Sequence, residues 1–408
     1  MVSPYYLIPT MPNAELCPYM ENYKHVNVYV DVKNAMQTLF IHDVGQEMIE
    51  MSRGTDHLCS LIFQSLIYYI AYWKRFLYKQ NKTATFYLCM DHGQSVYHHQ
   101  IYKKYKSNRN ISNKDPFLAS YEQELNEIRA KNFVLAERVL NRIPNVYVFD
   151  LPFLESDYLP HFLIHHVNKK QVDSLNILIS NDKDHFQTLR TDNVLMFCKK
   201  TIKGTKINYI LNNKNIFEHY AGLYKMEIKQ KTKYLDIINK AKEDFSPSIM
   251  DVTLAITGDA GDFVPGIKGL GNLTVMSHIL SEPELLKSLL GTRTEMLERV
   301  CKYKGDLLPK DKLEKAPINK KWQTLFLDEN VKTLNQAFKL VSYDALIYDL
   351  YNDDTNKSTK LQWTDYINKR LCKERISLLE NEKTLVESFK IGIKDNQLNE
   401  SIIEQCYL

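Results

Sequence analysis

The sequence predicts an α/β fold, a central mostly parallel sheet flanked by helices. Short apolar runs rich in Val, Ile, Leu, Tyr and Phe recur at Val26 to Val32, Ala84 to Met90, Asn145 to Phe149, Leu175 to Ser180 and Val194 to Cys198. Such near-continuous apolar runs suit strands covered on both faces. Helical spacing separates them. Leu58, Ile62, Leu66, Tyr69, Trp73 and Phe76 lie between the first two runs, and Leu118, Tyr121, Leu125, Ile128, Leu135 and Val139 precede the third. Strands that alternate with helices pair in parallel.

Beyond about residue 210 the pattern turns mostly helical. Asp251 to Thr257 leads into TGDAGDFVPGIKGLG, which holds five of the thirteen glycines, and helical spacing resumes from Leu273 to Leu290. Residues 301 to 408 are rich in Lys, Glu, Asn and Leu, while residues 1 to 24, with four prolines, read as an extended arm.

With 44% hydrophobic and 25% charged residues, the 408-residue chain can bury a substantial core. Seven scattered cysteines without a C-x-x-C pair suit reduced thiols. LIFQSLIYYIAYW from Leu61 is interrupted by Gln64 and too short to span a bilayer, so a soluble cytoplasmic protein without membrane contact is expected. The net charge of +4 is uninformative, but its distribution is not. Tyr97 to Lys114 and Lys199 to Lys214 each carry five Lys or Arg and no acid. Such runs are usually solvated faces.

The acids that follow the strands point to chemistry. The first run ends on Asp31 and the second on Asp91; Glu155 and Asp157 follow the third, and Asp182 and Asp184 the fourth. One acid at a strand end is an ordinary cap. In an open α/β sheet, however, the carboxyl ends of the strands form the ligand edge, so six acids would gather there. Two carboxylates ~4 Å apart repel by about 4 kcal/mol at an effective dielectric near 20, so protons or divalent cations must compensate. Oxygen-only donors favour Mg²⁺ or Mn²⁺ over zinc. Two such ions would suit hydrolysis of a phosphodiester.

Four segments resemble the 5′ nucleases, the flap endonucleases and 5′-3′ exonucleases of PIN-like fold, particularly the bacteriophage branch. VYVDVKNA is similar to the first strand of that family with its metal-binding Asp31. MDHGQSVYHHQIYKKYKSNR is similar to its second-aspartate segment. LESD with SNDKD resembles its third and fourth acidic clusters, and TGDAGDFVPGIKGLG its glycine-rich hairpin signature. Two departures stand out: Tyr158 where the family often has a further aspartate, and Phe263 where the signature usually has Asn.

The resemblance implies a nuclease core over 25–205 with a helical arch at about 97–141. It further implies a helical subdomain with a helix-three-turn-helix hairpin over 206–300 and a closing helical region over 301–408, after an N-terminal extension, 1–24. It assigns Asp31, Asp91, Glu155, Asp157, Asp182, Asp184, Asp259 and Asp262 to two Mg²⁺ or Mn²⁺ ions, and Lys106 and Arg109 to the scissile phosphate. DNA contacts are implied for Tyr102, Lys103, Lys104, Tyr105, Gly266, Lys268, Gly269 and Gly271, with K⁺ at the hairpin. A monomer acting on 5′-flap, nicked or RNA-primed DNA, beside other replication proteins, is the implied role. The alternatives are an inactive DNA-binding relative and a PIN-type ribonuclease. His161 and His165, four apart, have zinc-like spacing but lack the H-E-x-x-H glutamate and are expected to pack; His98 and His99 sit in the arch-entry segment, where phosphate contact or packing are the two readings.

Overall fold

All five predicted strands pair in one sheet in the computed structural model, which describes residues 11–32, 34, 55–91, 95–107, 140–141, 143–202, 205–216, 218–219, 247–272, 274–275, 279–280, 282–312 and 320–372. In chain order the elements that matter are helix α1 (Cys17–Met20), strand β1 (His25–Asp31), helix α2 (Thr55–Lys79), β2 (Thr83–Cys89), α3 (Val96–Ile101), β3 (Val146–Phe149), α4 (Tyr158–Phe162), β4 (Ser174–Ile179), β5 (Val194–Ile202) and β6 (Thr205–Leu211). Helices α5 (Ile249–Thr257), α6 (Pro283–Leu290), α7 (Arg293–Leu297), α8 (Lys320–Leu325), α9 (Asp328–Val341), α10 (Tyr343–Ile347) and α11 (Lys357–Cys372) follow.

The sheet order is β3-β2-β1-β4-β5-β6. β1 pairs in parallel with both β2 and β4, and only β6 runs antiparallel, against β5. The order therefore reverses direction between β1 and β4, and at such a switch point the chain leaves the sheet to opposite sides and opens a crevice.

Strand alternation builds a core on each face. Val26, Val28 and Val30 turn to one side, where Trp73 of α2 packs edge-on to Phe197 at 5.9 Å. Tyr29, Tyr87 and Tyr147, in register on three adjacent strands, stack on the other, with centroids 4.7 and 5.7 Å apart. Burying each such side chain contributes ~1.5 to 3 kcal/mol. The Tyr29 hydroxyl lies between Asn168 and Asn176, so its polar end is satisfied in the interior.

Two expectations need correction. The 1–24 arm is not simply extended: within it Ala14–Leu16 and Cys17–Met20 are helical, and Leu16 and Met20 are buried against the β1 valines. Pro18 stands in the first turn of Cys17–Met20, where its missing N–H costs nothing, so it does not oppose the helix. The basic run from Lys199 also conceals a hairpin, because β5 extends to Ile202 and β6 returns from Thr205. The arch helix predicted over Leu118 to Val139 lies outside the described residues.

Candidate metal centre and nucleic-acid face

The β1 and β2 register sets Asp31 opposite Cys89, two residues before Asp91, so both acids leave the sheet at the same edge. Asp31 is 3% exposed. Its Oδ1 accepts from the Asn34 N–H (3.2 Å) and the Ser156 hydroxyl (3.4 Å); its Oδ2 accepts from the Ser180 hydroxyl (3.1 Å) and lies 3.3 Å from His185 Nε2. Ser180 directly follows β4, so these bonds bridge the crevice at the switch point. The Ser156 N–H donates to Asp91 Oδ1 at 2.7 Å. One serine thus fixes two strand-end acids and orients its neighbours Glu155 and Asp157.

Lys106 enters from the other side. Its ammonium pairs with Glu155 Oε2 and stands 3.6 Å from Asp262 Oδ2, and its backbone N–H donates to the Asp262 carbonyl at 2.9 Å. Burial alone would lower this lysine, but Asp157, Glu155 and Asp262 together hold it above its ordinary range. Asp182 caps the turn after β4, accepting from the Asp184 N–H at 3.1 Å, and Lys183 Nζ lies 3.0 Å from Asp259 Oδ2.

Electrostatics marks the centre as short of positive charge. Asp157 is pushed up to about 7 by burial, which outweighs the opposing Lys106, and by repulsion from Glu155, Asp91 and Asp31. Asp184 is held well above the usual carboxylate range by burial and by Asp182, Asp259 and Asp157, against Lys183. Asp157 Oδ1 and Asp184 Oδ1 are buried without a hydrogen-bond partner. Buried orphan carboxylate oxygens in an oxygen-only donor set fit a hard divalent cation. The contacts above and these repulsions place all eight acids in one neighbourhood, although among the described residues only His161, His166 and Asp344 bring three donor atoms within 4.8 Å of one another.

The hairpin loop rests on two glycines. α5 ends at Gly258 with φ +72°, and Asp259 and Val264 bond each other's backbones at 2.8 and 3.0 Å. A Cβ on Gly266 would stand 2.2 Å from the Thr257 carbonyl oxygen, and one on Gly258 2.4 Å from the Gly266 nitrogen. Gly266 is therefore required by this crossing of the chain with itself, and it is exposed. Gly269 and Gly271 are exposed, with nothing within 4 Å of an added Cβ, and Lys268 beside them is exposed.

The arch-entry segment also needs correction. Tyr105 is 3% exposed and stacked on His98 at 4.6 Å, so its faces are not open to a base; Tyr102 is half-buried, and Lys103 and Lys104 are exposed. His98 is fully buried, which settles it as a packing residue. Its Nε2 bonds the Tyr158 hydroxyl at 2.8 Å, its Nδ1 accepts from Ser95, and the Tyr158 hydroxyl donates to the Leu340 carbonyl at 2.9 Å. Tyr158 is thus committed away from the acids. Arg109 lies outside the described residues.

His161 and His165 are interior, with His161 fully buried. His161, His166 and Asp344 bring metal-type donor atoms within 4.8 Å of one another. Asp344, however, already holds Arg190 and Arg293, each at 2.7 Å, so this group has its positive charge supplied. Sequence reasoning missed Ser156, Ser180, His185 and Lys183; only Lys183, lodged between two acids, carries a local signal.

No family model matches the chain, and no curated protein matches it in sequence. Solved structures do. The T5 D15 protein co-crystallised with metal ions superposes with a TM-score of 0.51 at 16% identity, over 84% of this chain and 98% of that one. T5 5′-exonuclease with divalent zinc ions bound superposes at 0.52 and 17%, over 85% and 98%. At that identity the likeness is one of fold: a mostly parallel six-stranded sheet flanked by helices, the PIN-like fold of these nucleases.

Proposed function

We propose that the protein is a divalent-metal-dependent 5′ nuclease, a 5′-3′ exonuclease or flap endonuclease acting near the 5′ ends of branched, nicked or RNA-primed DNA in replication. The observation that carries this reading is the buried pair of orphan oxygens on Asp157 and Asp184, inside a ring of acids faced by Lys106. Such a pocket disfavours its own ionised state until a cation enters.

Asp31, Asp91, Glu155 and Asp157 are the residues that would hold one Mg²⁺ or Mn²⁺ ion, and Asp182, Asp184, Asp259 and Asp262 a second. Bound there, such ions supply an activated water and neutralise charge on the phosphate. The chain's own contribution is positioning. Ser156 and Ser180 fix the acids; Lys106, already beside the acids, offers its ammonium to the scissile phosphate; Lys268, Gly269 and Gly271 let backbone amides meet a duplex phosphate, where K⁺ also fits the reading. Arg109 joins Lys106 in this proposal.

A substrate panel tests it: 5′-flap, nicked and RNA-primed duplexes and single-stranded RNA, with Mg²⁺ or EDTA, on the wild type and on Asp91→Ala and Asp182→Ala. Mg²⁺-dependent release of short 5′ products, lost in both variants, is expected. Cleavage that persists in EDTA or in either variant overturns the assignment, and preference for single-stranded RNA favours the ribonuclease.

A further inference from the structure

The turn after β4 carries a buried imidazole as well as two acids. Lys183–Thr188 is a 3₁₀ turn, in which residues three apart lie one above the other. His185 therefore comes to the same side as Asp182, whose carbonyl accepts its backbone N–H at 3.3 Å. His185 is fully buried, and its ring packs edge-on to Tyr343 with centroids 5.8 Å apart. Gln187 clamps the same turn: its Nε2 donates to the Asp184 and Val341 carbonyls, both at 3.0 Å, and its Oε1 accepts from the Tyr343 N–H at 2.9 Å.

Among the described residues the imidazole has one polar contact, Nε2 to Asp31 Oδ2 at 3.3 Å, while Nδ1 is buried without a partner. An ionised carboxylate only accepts, so Nε2 is a protonated nitrogen. Asp31 Oδ2 thus receives two donors, the Ser180 hydroxyl and His185, which fill its lone pairs. Oδ1 also receives two, but the Ser156 hydroxyl at 3.4 Å is long, and a hydroxyl can rotate away. A ring N–H held by Tyr343 and a clamped turn cannot. The two oxygens of Asp31 are therefore unequal towards an incoming ion.

We propose that His185 is a positioning residue: it keeps Asp31 Oδ2 occupied, leaves Oδ1 to meet a divalent cation, and so favours Mg²⁺ or Mn²⁺ over Ca²⁺. The inference rests on the reading of Asp31 as an ion ligand. Ca²⁺ accepts both oxygens of one carboxylate in a large, flexible shell, whereas Mg²⁺ demands near-ideal octahedral geometry. An aspartate restricted to one oxygen suits the smaller ion and handicaps the larger.

The test is calorimetric titration with MnCl₂ and with CaCl₂ of metal-stripped wild type, His185→Leu, His185→Asn and His185→Gln, each checked for folding by a melt in EDTA. All three variants remove any charge on the ring alike, so what separates them is the N–H. Gln can present one at the reach of Nε2, and Asn is too short. The ratio of Mn²⁺ to Ca²⁺ affinity at the tighter site is expected to fall roughly tenfold in the Leu and Asn variants, the scale of one hydrogen bond to a charged group, and to be retained in the Gln variant. The Asn variant carries the comparison if the Leu variant does not fold. An unchanged ratio in the Leu and Asn variants, or an equal fall in all three, overturns the role of His185 alone. A wild type that binds neither cation overturns the metal-centre reading with it.

Discussion

The ammonium of Lys183 stands 3.0 Å from Asp259 Oδ2 and so joins the turn after β4 to the loop after α5. It lies between Asp182 and Asp184, and it opposes the upward shift of Asp184. Lys183 is an internal counter-ion in a pocket that repels itself. Lys183→Met is expected to lower the melting temperature of the metal-free protein while tightening divalent-cation binding several-fold, because a competing positive charge is gone. Calorimetric titration with MnCl₂, beside a melt in EDTA, measures both. Weaker Mn²⁺ binding by the variant contradicts the counter-ion role.

Asp157 gives a pH dependence whose sign is fixed. Its folded carboxyl titrates at about 7 against an ordinary 3.8, so between those values the folded chain holds a proton that the unfolded chain has released. Its contribution to stability is therefore present below about pH 4 and is lost as pH rises through 7; Asp184 acts in the same direction. A cation that binds the ionised acids reverses the loss. The rise in melting temperature on adding MgCl₂ to EDTA-treated protein should be larger at pH 8 than at pH 5. An equal or smaller rise at pH 8 contradicts it.

Six of the acids were legible because each stands at or shortly after the end of an apolar run, and parallel pairing carries all such ends to one edge; Asp259 and Asp262, which follow α5, were legible only through the resemblance of the glycine-rich stretch. Asp31 and Asp91 needed only that inference. The support beneath them did not show. Ser156 and His185 reach Asp31 across 125 and 154 residues, and nothing local in the sequence marks either. β6 was hidden because it lies inside the basic run from Lys199 to Lys214, which reads as a solvated face. Tyr105, implied as a DNA contact by the resemblance, is covered instead, because His98 stacks on its face across seven residues of the chain.

Tyr158 stands where an acid was expected, and its contacts show what it does. Its hydroxyl donates to the Leu340 carbonyl and meets His98 Nε2, tying α4 to the end of α9 and to α3. Tyr158→Phe leaves both buried partners unsatisfied, at a cost of ~1 to 3 kcal/mol. Urea denaturation should show that loss, while Mn²⁺ affinity stays at the wild-type value. A variant with wild-type stability and altered Mn²⁺ affinity would place the hydroxyl in the metal centre instead.

Arg293 tests how the C-terminal helices are fastened to the rest. Its guanidinium pairs with Asp251 of α5 and, through Nε at 2.7 Å, with Asp344 of α10. Ser342 completes the group, donating to Asp251 Oδ2 at 2.6 Å. Asp251 is fully buried, so Arg293→Met strands its charge with only the Ser342 hydroxyl and the Val252 N–H as donors, whereas Asp344 keeps Arg190 and His161. Removing one partner of a buried pair costs about 3 to 5 kcal/mol, most of it the penalty on the charge left behind. If so, Asp251→Leu in the Arg293→Met background should recover much of the loss, since two apolar side chains replace a broken pair. Breaking the exposed Lys369 and Asp365 pair of α11 with Lys369→Met should change stability very little, as solvated i,i+4 pairs contribute weakly. Equal effects of Arg293→Met and Lys369→Met in chemical denaturation would show that the buried group does not hold α5, α7 and α10 together.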